Sequence, residues 1–199
     1  MLIELVNRKS IDLFILYVHT RMVSLLLLVE VQELEQLTAA LMFGGDVSPV
    51  TNATELFNGT SYSEVNDLNM ARATLGAAGA TNTAALAFGG YDGTPGYQNE
   101  TETWNGTNWT EVNNLTQARA QLAGCGTNTA AIGFGGRKDS GATEEEFAGT
   151  ESWNGTNWTE VNDLNTARSE MGGAGTKSLA LAFGGADPNK INSTFSCLM

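Results

Sequence analysis

Apolar and polar positions along this chain come in short bursts that suit strands. Ala84 to Phe88 is a run of small and apolar residues closed by Gly89 and Gly90, which fits a buried strand better than a three-turn helix. A polar loop follows. Glu100 to Trp104 and Asn108 to Val112 then flank Asn105 and Gly106, and Asn-Gly is a strong hairpin signal because both residues tolerate positive φ. A further strand is expected between Leu75 and Ala80, joined to the Ala84 strand by a turn at Thr81 and Asn82. One stretch of chain thus predicts four antiparallel strands.

The same stretch recurs. TNTAALAFGG, ending at Gly90, returns as TNTAAIGFGG ending at Gly136 and TKSLALAFGG ending at Gly185, with a shorter first copy, TAALMFGG, ending at Gly45. TETWNGTNWTEVNNLTQAR, ending at Arg119, returns as TESWNGTNWTEVNDLNTAR ending at Arg168 and TELFNGTSYSEVNDLNMAR ending at Arg72. The phenylalanines at 43, 88, 134 and 183 lie 45, 46 and 49 residues apart. Periods of this length belong to propellers and solenoids, and four strands per unit favour a propeller blade. Small residues such as Ala84, Ala85 and Ala87 fit crowded inner strands. Phe88, Phe134 and Phe183, with Trp104, Trp109, Trp153 and Trp158, are expected to form the blade core. Phe57 and Tyr62 take the two tryptophan places in the first unit. Burial of such a ring stabilises by roughly 2 to 3 kcal/mol. The alternative, a platform for stacking sugars, needs the rings exposed.

The double glycine closing a strand, an aromatic further on, a tryptophan five beyond it and an arginine before the next unit are carried by Gly89/Gly90, Trp104, Trp109 and Arg119, and by Gly135/Gly136, Trp153, Trp158 and Arg168. This pattern over residues 38 to 185 resembles kelch-type β-propeller repeats. The WNGT element replaces the family's more usual tyrosine and is similar to the short kelch-like repeats of phage and bacterial surface proteins. The resemblance implies an all-β fold, a partial kelch-like propeller of about three to four four-stranded antiparallel blades. It also implies an extracellular or virion-associated setting. For activity it implies little, since propellers host unrelated functions.

The repeat region 38–185 is preceded by a different segment, 1–37, and followed by a short tail, 186–199. Residues 1 to 37 hold the only histidine, His19, and two aliphatic runs, LFILYV and SLLLLVEV, separated by His19, Thr20 and Arg21. Neither run reaches the ~20 apolar residues of a membrane span. Asp12 interrupts the apolar stretch and no A-x-A follows it, against a signal peptide. Met22 to Leu37 fits either an amphipathic helix or a strand capping the first blade, and the segment also fits a sequence unrelated to the propeller, such as a misplaced start or frameshift. A propeller usually has four to eight blades, and three units here are complete. That leaves an open arc, half of a ring that a second copy completes as a homo-oligomer, or a truncated product, of which truncation is the preferred expectation.

The formal charge of −12, with ten Lys and Arg, and the absence of a basic stripe disfavour nucleic-acid binding. No histidine lies in the repeats and the two cysteines lack C-x-x-C spacing, so no metal site or cofactor is expected. The copper-radical oxidases that share the kelch propeller rely on histidine and tyrosine ligands, and the repeats here contain no histidine. Cys125 reads as a small buried residue, matched by Ala174 in the next unit. Glu55, Glu102 and Glu151 share one repeat position, Glu64, Glu111 and Glu160 another, and Arg72, Arg119 and Arg168 a third. Carboxylate pairs can do acid–base work, but residues repeated in every unit more often maintain the blade. The arginines are expected either to ring a channel mouth or to bond blade-connecting carbonyls.

Divergence concentrates after the double glycine. From phenylalanine to the next glutamate the units span 12, 14 and 17 residues, whereas glutamate to arginine is 17 in all three. The loops read DVSPVTNAT, YDGTPGYQN and RKDSGATEEEFAGT. Equivalent loops gather on one face, a natural ligand surface, although exposed tips also tolerate change without function. Tyr91, Asp92 and Tyr97 with Arg137, Lys138 and Asp139 are the candidate ligand-binding residues. No catalytic residue is identified. A non-catalytic module for protein or glycan recognition is the preferred reading. The alternatives are a carbohydrate-active or oxidoreductase fragment whose catalytic blades lie elsewhere, and a structural spacer.

Overall fold

The computed structural model of the chain describes residues 25–26, 39–93, 96–139, 144–186 and 196–198. Among the described residues every regular element is a β-strand, and the strands form successive open antiparallel sheets. The expectation of a helix or capping strand over Met22 to Leu37 lies outside them, apart from the two-residue strand β1 (Leu25–Leu26).

The first sheet is β1, β2 (Ala40–Gly45), β3 (Thr51–Phe57) and β4 (Tyr62–Glu64), in that order. The second is β5 (Gly76–Thr81), β6 (Ala84–Phe88), β7 (Thr101–Trp104) and β8 (Trp109–Val112). The third takes β9 (Ala123–Thr127) and β10 (Ala130–Phe134), leaves for a separate hairpin of β11 (Arg137–Asp139) and β12 (Glu144–Glu146), and returns as β13 (Thr150–Trp153) and β14 (Trp158–Val161). The last contains β15 (Ser169–Thr176), β16 (Leu179–Ala186) and β17 (Ser196–Leu198). Strands follow one another as meanders, so the pairing is local in sequence.

The strands named from the hydrophobic pattern form within a residue or two of their expected bounds. Their turns differ in detail. Asn105 does not take positive φ; Gly106 alone does, at 91°. Asn105 Oδ1 instead accepts the N–H groups of Thr107 and Asn108 at 2.9 Å each, and Asn154 Oδ1 does the same for Thr156 and Asn157. The side chain mimics a backbone turn, so the hairpin is longer than a two-residue type I′ connection.

Small inner residues let neighbouring sheets approach backbone to backbone. A Cβ on Gly124 of β9 would collide with the Phe88 ring and lie 3.0 Å from Ala77 O on β5; one on Gly173 of β15 would lie 2.8 Å from Gly124 O and 2.7 Å from Phe134 Cζ. Phe88 and Phe134 are fully buried, Trp104, Trp109, Trp153 and Trp158 nearly so, and Phe183 half-buried. Phe43 meets Trp109 edge-on at 4.7 Å, and Phe88 meets Trp158 at 4.8 Å. Trp109 and Trp158 therefore fill the wedge against the preceding sheet. In the first sheet Tyr62, which holds that place, is 49% exposed.

Candidate functional site

Two regions concentrate polar chemistry: the junctions between sheets and the loops after the double glycines. At the first junction Arg72, fully buried, donates from Nη1 to Gly89 O (2.8 Å) and Glu100 O (2.7 Å), and from Nη2 to Glu102 Oε1 (2.8 Å). Glu102 Oε2 accepts the backbone N–H and the Nδ2 of Asn69, both at 2.8 Å. At the next junction Arg119 donates to Gly135 O, Gly149 O and Glu151 Oε1, and Thr116 N–H donates to Glu151 Oε2. Burial lowers the pKa of both guanidinium groups, Arg119 to about 10, while the facing glutamates oppose the shift. Arg119 therefore remains charged at neutral pH. With every Glu102 oxygen engaged, the pair is a clamp rather than an acid–base couple: a buried charge is tolerable only when paired and hydrogen-bonded. Arg72 and Arg119 thus bond carbonyls of the segment that forms the next sheet, nearer to the second of the two expectations, and the bonds to the glutamates of that sheet were not foreseen.

Two further contacts repeat. Trp109 Nε1 donates to Thr54 Oγ1 and Trp158 Nε1 to Thr101 Oγ1, each at 3.0 Å. Asn66 Nδ2 donates to Thr107 O and Asn108 Oδ1, and Asn113 Nδ2 to Thr156 O and Asn157 Oδ1. Cys125 is fully buried, and desolvation pushes its thiol up to about 12, so it is inert packing.

Thr74, Gln121 and Glu170 hold one repeat position and all have positive φ, 52° to 55°. Gln121 N–H donates to Thr74 O (2.8 Å) and Glu170 N–H to Gln121 O (3.0 Å). The left-handed turn aims the Gln121 and Glu170 amides at the preceding unit, a conformation that costs a non-glycine residue free energy. No sequence signal marked these residues.

On the loop face the structure brings the two candidate groups together. Tyr91 and Tyr97 bridge as antiparallel partners with rings edge-to-face at 6.3 Å, and Tyr91 is 37% exposed. Asp92 follows, half-buried. Tyr97 shares a side-chain hydrogen bond with Glu144 of the next loop; desolvation and that bond raise its phenol above the ordinary value. Arg137 anchors to Glu146 at 2.9 Å and Glu144 at 3.5 Å, and Lys138 to Glu145 at 3.1 Å. Lys138 Nζ also sits 4.8 Å over the Phe147 ring. Asp139 stands opposite Glu144 in the hairpin. The basic residues singled out in RKD are thus held by the glutamates of the same loop. The run EEEF was the missed signal: read as a strand partner for RKD, it predicts the hairpin.

Among the described residues no group of histidine, cysteine, aspartate and glutamate is arranged to hold a metal ion, and no helix is long and apolar enough to cross a membrane. The chain matches no protein-family model, and no curated protein matches it.

Proposed function

We propose that residues 38–185 are an arc of kelch-like propeller blades acting as a non-catalytic binding module, and that its loop face takes a neutral glycan. The observation that carries this reading is the meeting of Tyr91 and Tyr97 with Glu144 and Arg137 across two adjacent loops. Exposed aromatic rings stack on the apolar faces of sugars, and carboxylate and guanidinium groups at their edge suit hydroxyl hydrogen bonds. Arg137 and Lys138 are outnumbered by Asp139, Glu144, Glu145 and Glu146, which disfavours sulfated or sialylated ligands. A virion or cell-surface setting accords with the kelch-like resemblance.

The test is a screen of the chain against neutral glycan and surface-protein panels, beside a graft in which Asp46 to Thr54 replaces both Tyr91 to Asn99 and Arg137 to Thr150. Glycan binding that disappears in the graft and in Tyr91→Ala supports the proposal. Binding that survives the graft moves the site elsewhere, binding only to proteins changes the ligand class, and hydrolase or oxidase turnover favours the enzyme reading.

A further inference from the structure

The Asn-Gly tips of the outer hairpins hold a side-chain amide against a backbone nitrogen, and they do so in all three units. Asn105 Oδ1 accepts the N–H groups of Thr107 and Asn108 at 2.9 Å each, Asn154 Oδ1 those of Thr156 at 2.9 Å and Asn157 at 2.8 Å, and Asn58 Oδ1 those of Thr60 and Ser61 at 3.0 Å each. An oxygen bonded two and three residues ahead folds the asparagine side chain over the peptide nitrogen in between, that of Gly106, Gly155 or Gly59. Among the described residues none of these three glycine N–H groups is hydrogen-bonded. The glycines have φ of 91°, 93° and 92°, a conformation that other residues rarely adopt, and a Cβ on Gly106 would stand 3.3 Å from Thr83 Cβ. The geometry that demands glycine thus leaves its nitrogen without a shielding side chain. Asn58, Asn105 and Asn154 are all exposed to water.

Two N–H groups aimed at one carbonyl oxygen do more than close a turn. They polarise Cγ, and they stabilise the negative charge that Oδ1 gains when a nucleophile adds there. The nearest nucleophile is the glycine nitrogen, and attack within a single turn needs no encounter between separate reactants.

We propose that Asn58, Asn105 and Asn154 are self-modification sites, at which the folded turn converts asparagine to aspartate with water as the only co-reactant. The glycine nitrogen gives its proton to solvent and attacks Cγ. The Cγ–Nδ2 bond breaks, Nδ2 takes up a proton and leaves as ammonia, and a cyclic imide closes. Water then adds to one imide carbonyl and opens the ring. In an unrestrained imide the main-chain carbonyl is the more reactive, and isoaspartate predominates. Here the two N–H donors activate the Cγ carbonyl instead, so opening restores the ordinary backbone with aspartate at the tip. Its carboxylate accepts the same two N–H groups as charge-assisted bonds, and each tip gains one negative charge. Asn108 is the internal control: its Oδ1 accepts Asn66 Nδ2 at 2.8 Å, and the residue after it is the buried Trp109. The proposal is independent of the loop-face reading.

The experiment incubates the full chain at neutral pH in heavy-oxygen water, beside a synthetic peptide of residues 99–116, NETETWNGTNWTEVNNLT. An isolated hairpin of this kind is marginally stable at best, so the peptide reports the same chemistry without the held turn. Mass spectrometry of proteolytic fragments locates the incorporated oxygen, and isoaspartate is assayed separately. Heavy oxygen is expected at Asn58, Asn105 and Asn154, with aspartate as the main product. The initial rate at Asn105 should exceed that of the peptide at least about tenfold, a fraction of what a water-excluded oxyanion donor supplies. The Asn105→Asp chain, which is the product itself, should melt with the parent. A rate at Asn105 no greater than in the peptide, isoaspartate in excess over aspartate, conversion of Asn108 as fast as that of Asn105, or a clearly lower melting temperature for Asn105→Asp would each overturn the proposal.

Discussion

The tryptophans and the arginine clamps are the residues on which each junction turns. Trp158 is 6% exposed, packs on Phe88 and donates to Thr101. Trp158→Ala should destabilise by about 3 to 5 kcal/mol through lost transfer free energy and a cavity, whereas the exposed Glu111→Gln should stay within about 0.5 kcal/mol; urea unfolding measures both. Arg119→Met strands Glu151 without its cation and should cost about 3 to 5 kcal/mol, most of it recovered when Glu151 is replaced by Met as well. Tyr97 gives a pH signature. Its neutral phenol is favoured in the folded loop, so its folded pKa lies above the ordinary 10.0. Its contribution is therefore complete below pH ~10 and lost as pH rises through the folded value. Ultraviolet titration should show one late phenol that vanishes in Tyr97→Phe; identical curves would remove the Tyr97–Glu144 contact.

Strands were legible because each carries its own punctuation. Ala84 to Phe88 ends in two glycines with positive φ, and the WNGTNW hairpins are fixed by one asparagine oxygen each. The β11–β12 hairpin was hidden because RKD and EEE have no apolar alternation; opposite charges in register, rather than burial, pair them. The candidate site was half legible for the same reason. Loop divergence singled out Tyr91, Tyr97 and Arg137, but nothing in a linear pattern brings Tyr97 to Glu144. The left-handed backbone at Thr74, Gln121 and Glu170 was equally silent, since no glycine marks it. The inner strands make a sharper statement. Gly124→Ala forces a methyl into the Phe88 ring and against Ala77 O, so thermal unfolding should show a loss of about 1 to 3 kcal/mol. An unchanged melting temperature would mean that the sheets do not approach this closely.

Across the whole molecule, the first and second sheets each offer their successor the same threonine, arginine and asparagine and receive from it the same tryptophan, glutamate and turn. Parts that meet through one standard joint are interchangeable. Excising residues 73–119 brings Arg72 directly before Ala120 and leaves the first sheet facing the third. Thr54 then meets Trp158 in place of Trp109, Phe43 meets the same ring, and Arg72 meets Glu151 in place of Glu102. Each of these junction contacts has a waiting substitute of the same chemistry. The shortened chain is therefore expected to fold cooperatively, keep an all-β circular dichroism spectrum and unfold with a smaller denaturant slope, in proportion to the surface removed. Loss of cooperative unfolding would show that the sheets are individually fitted. If they are not, near-identical stretches of coding sequence can recombine with one another and yield shorter or longer arcs in a single step, each assembled from joints already proven.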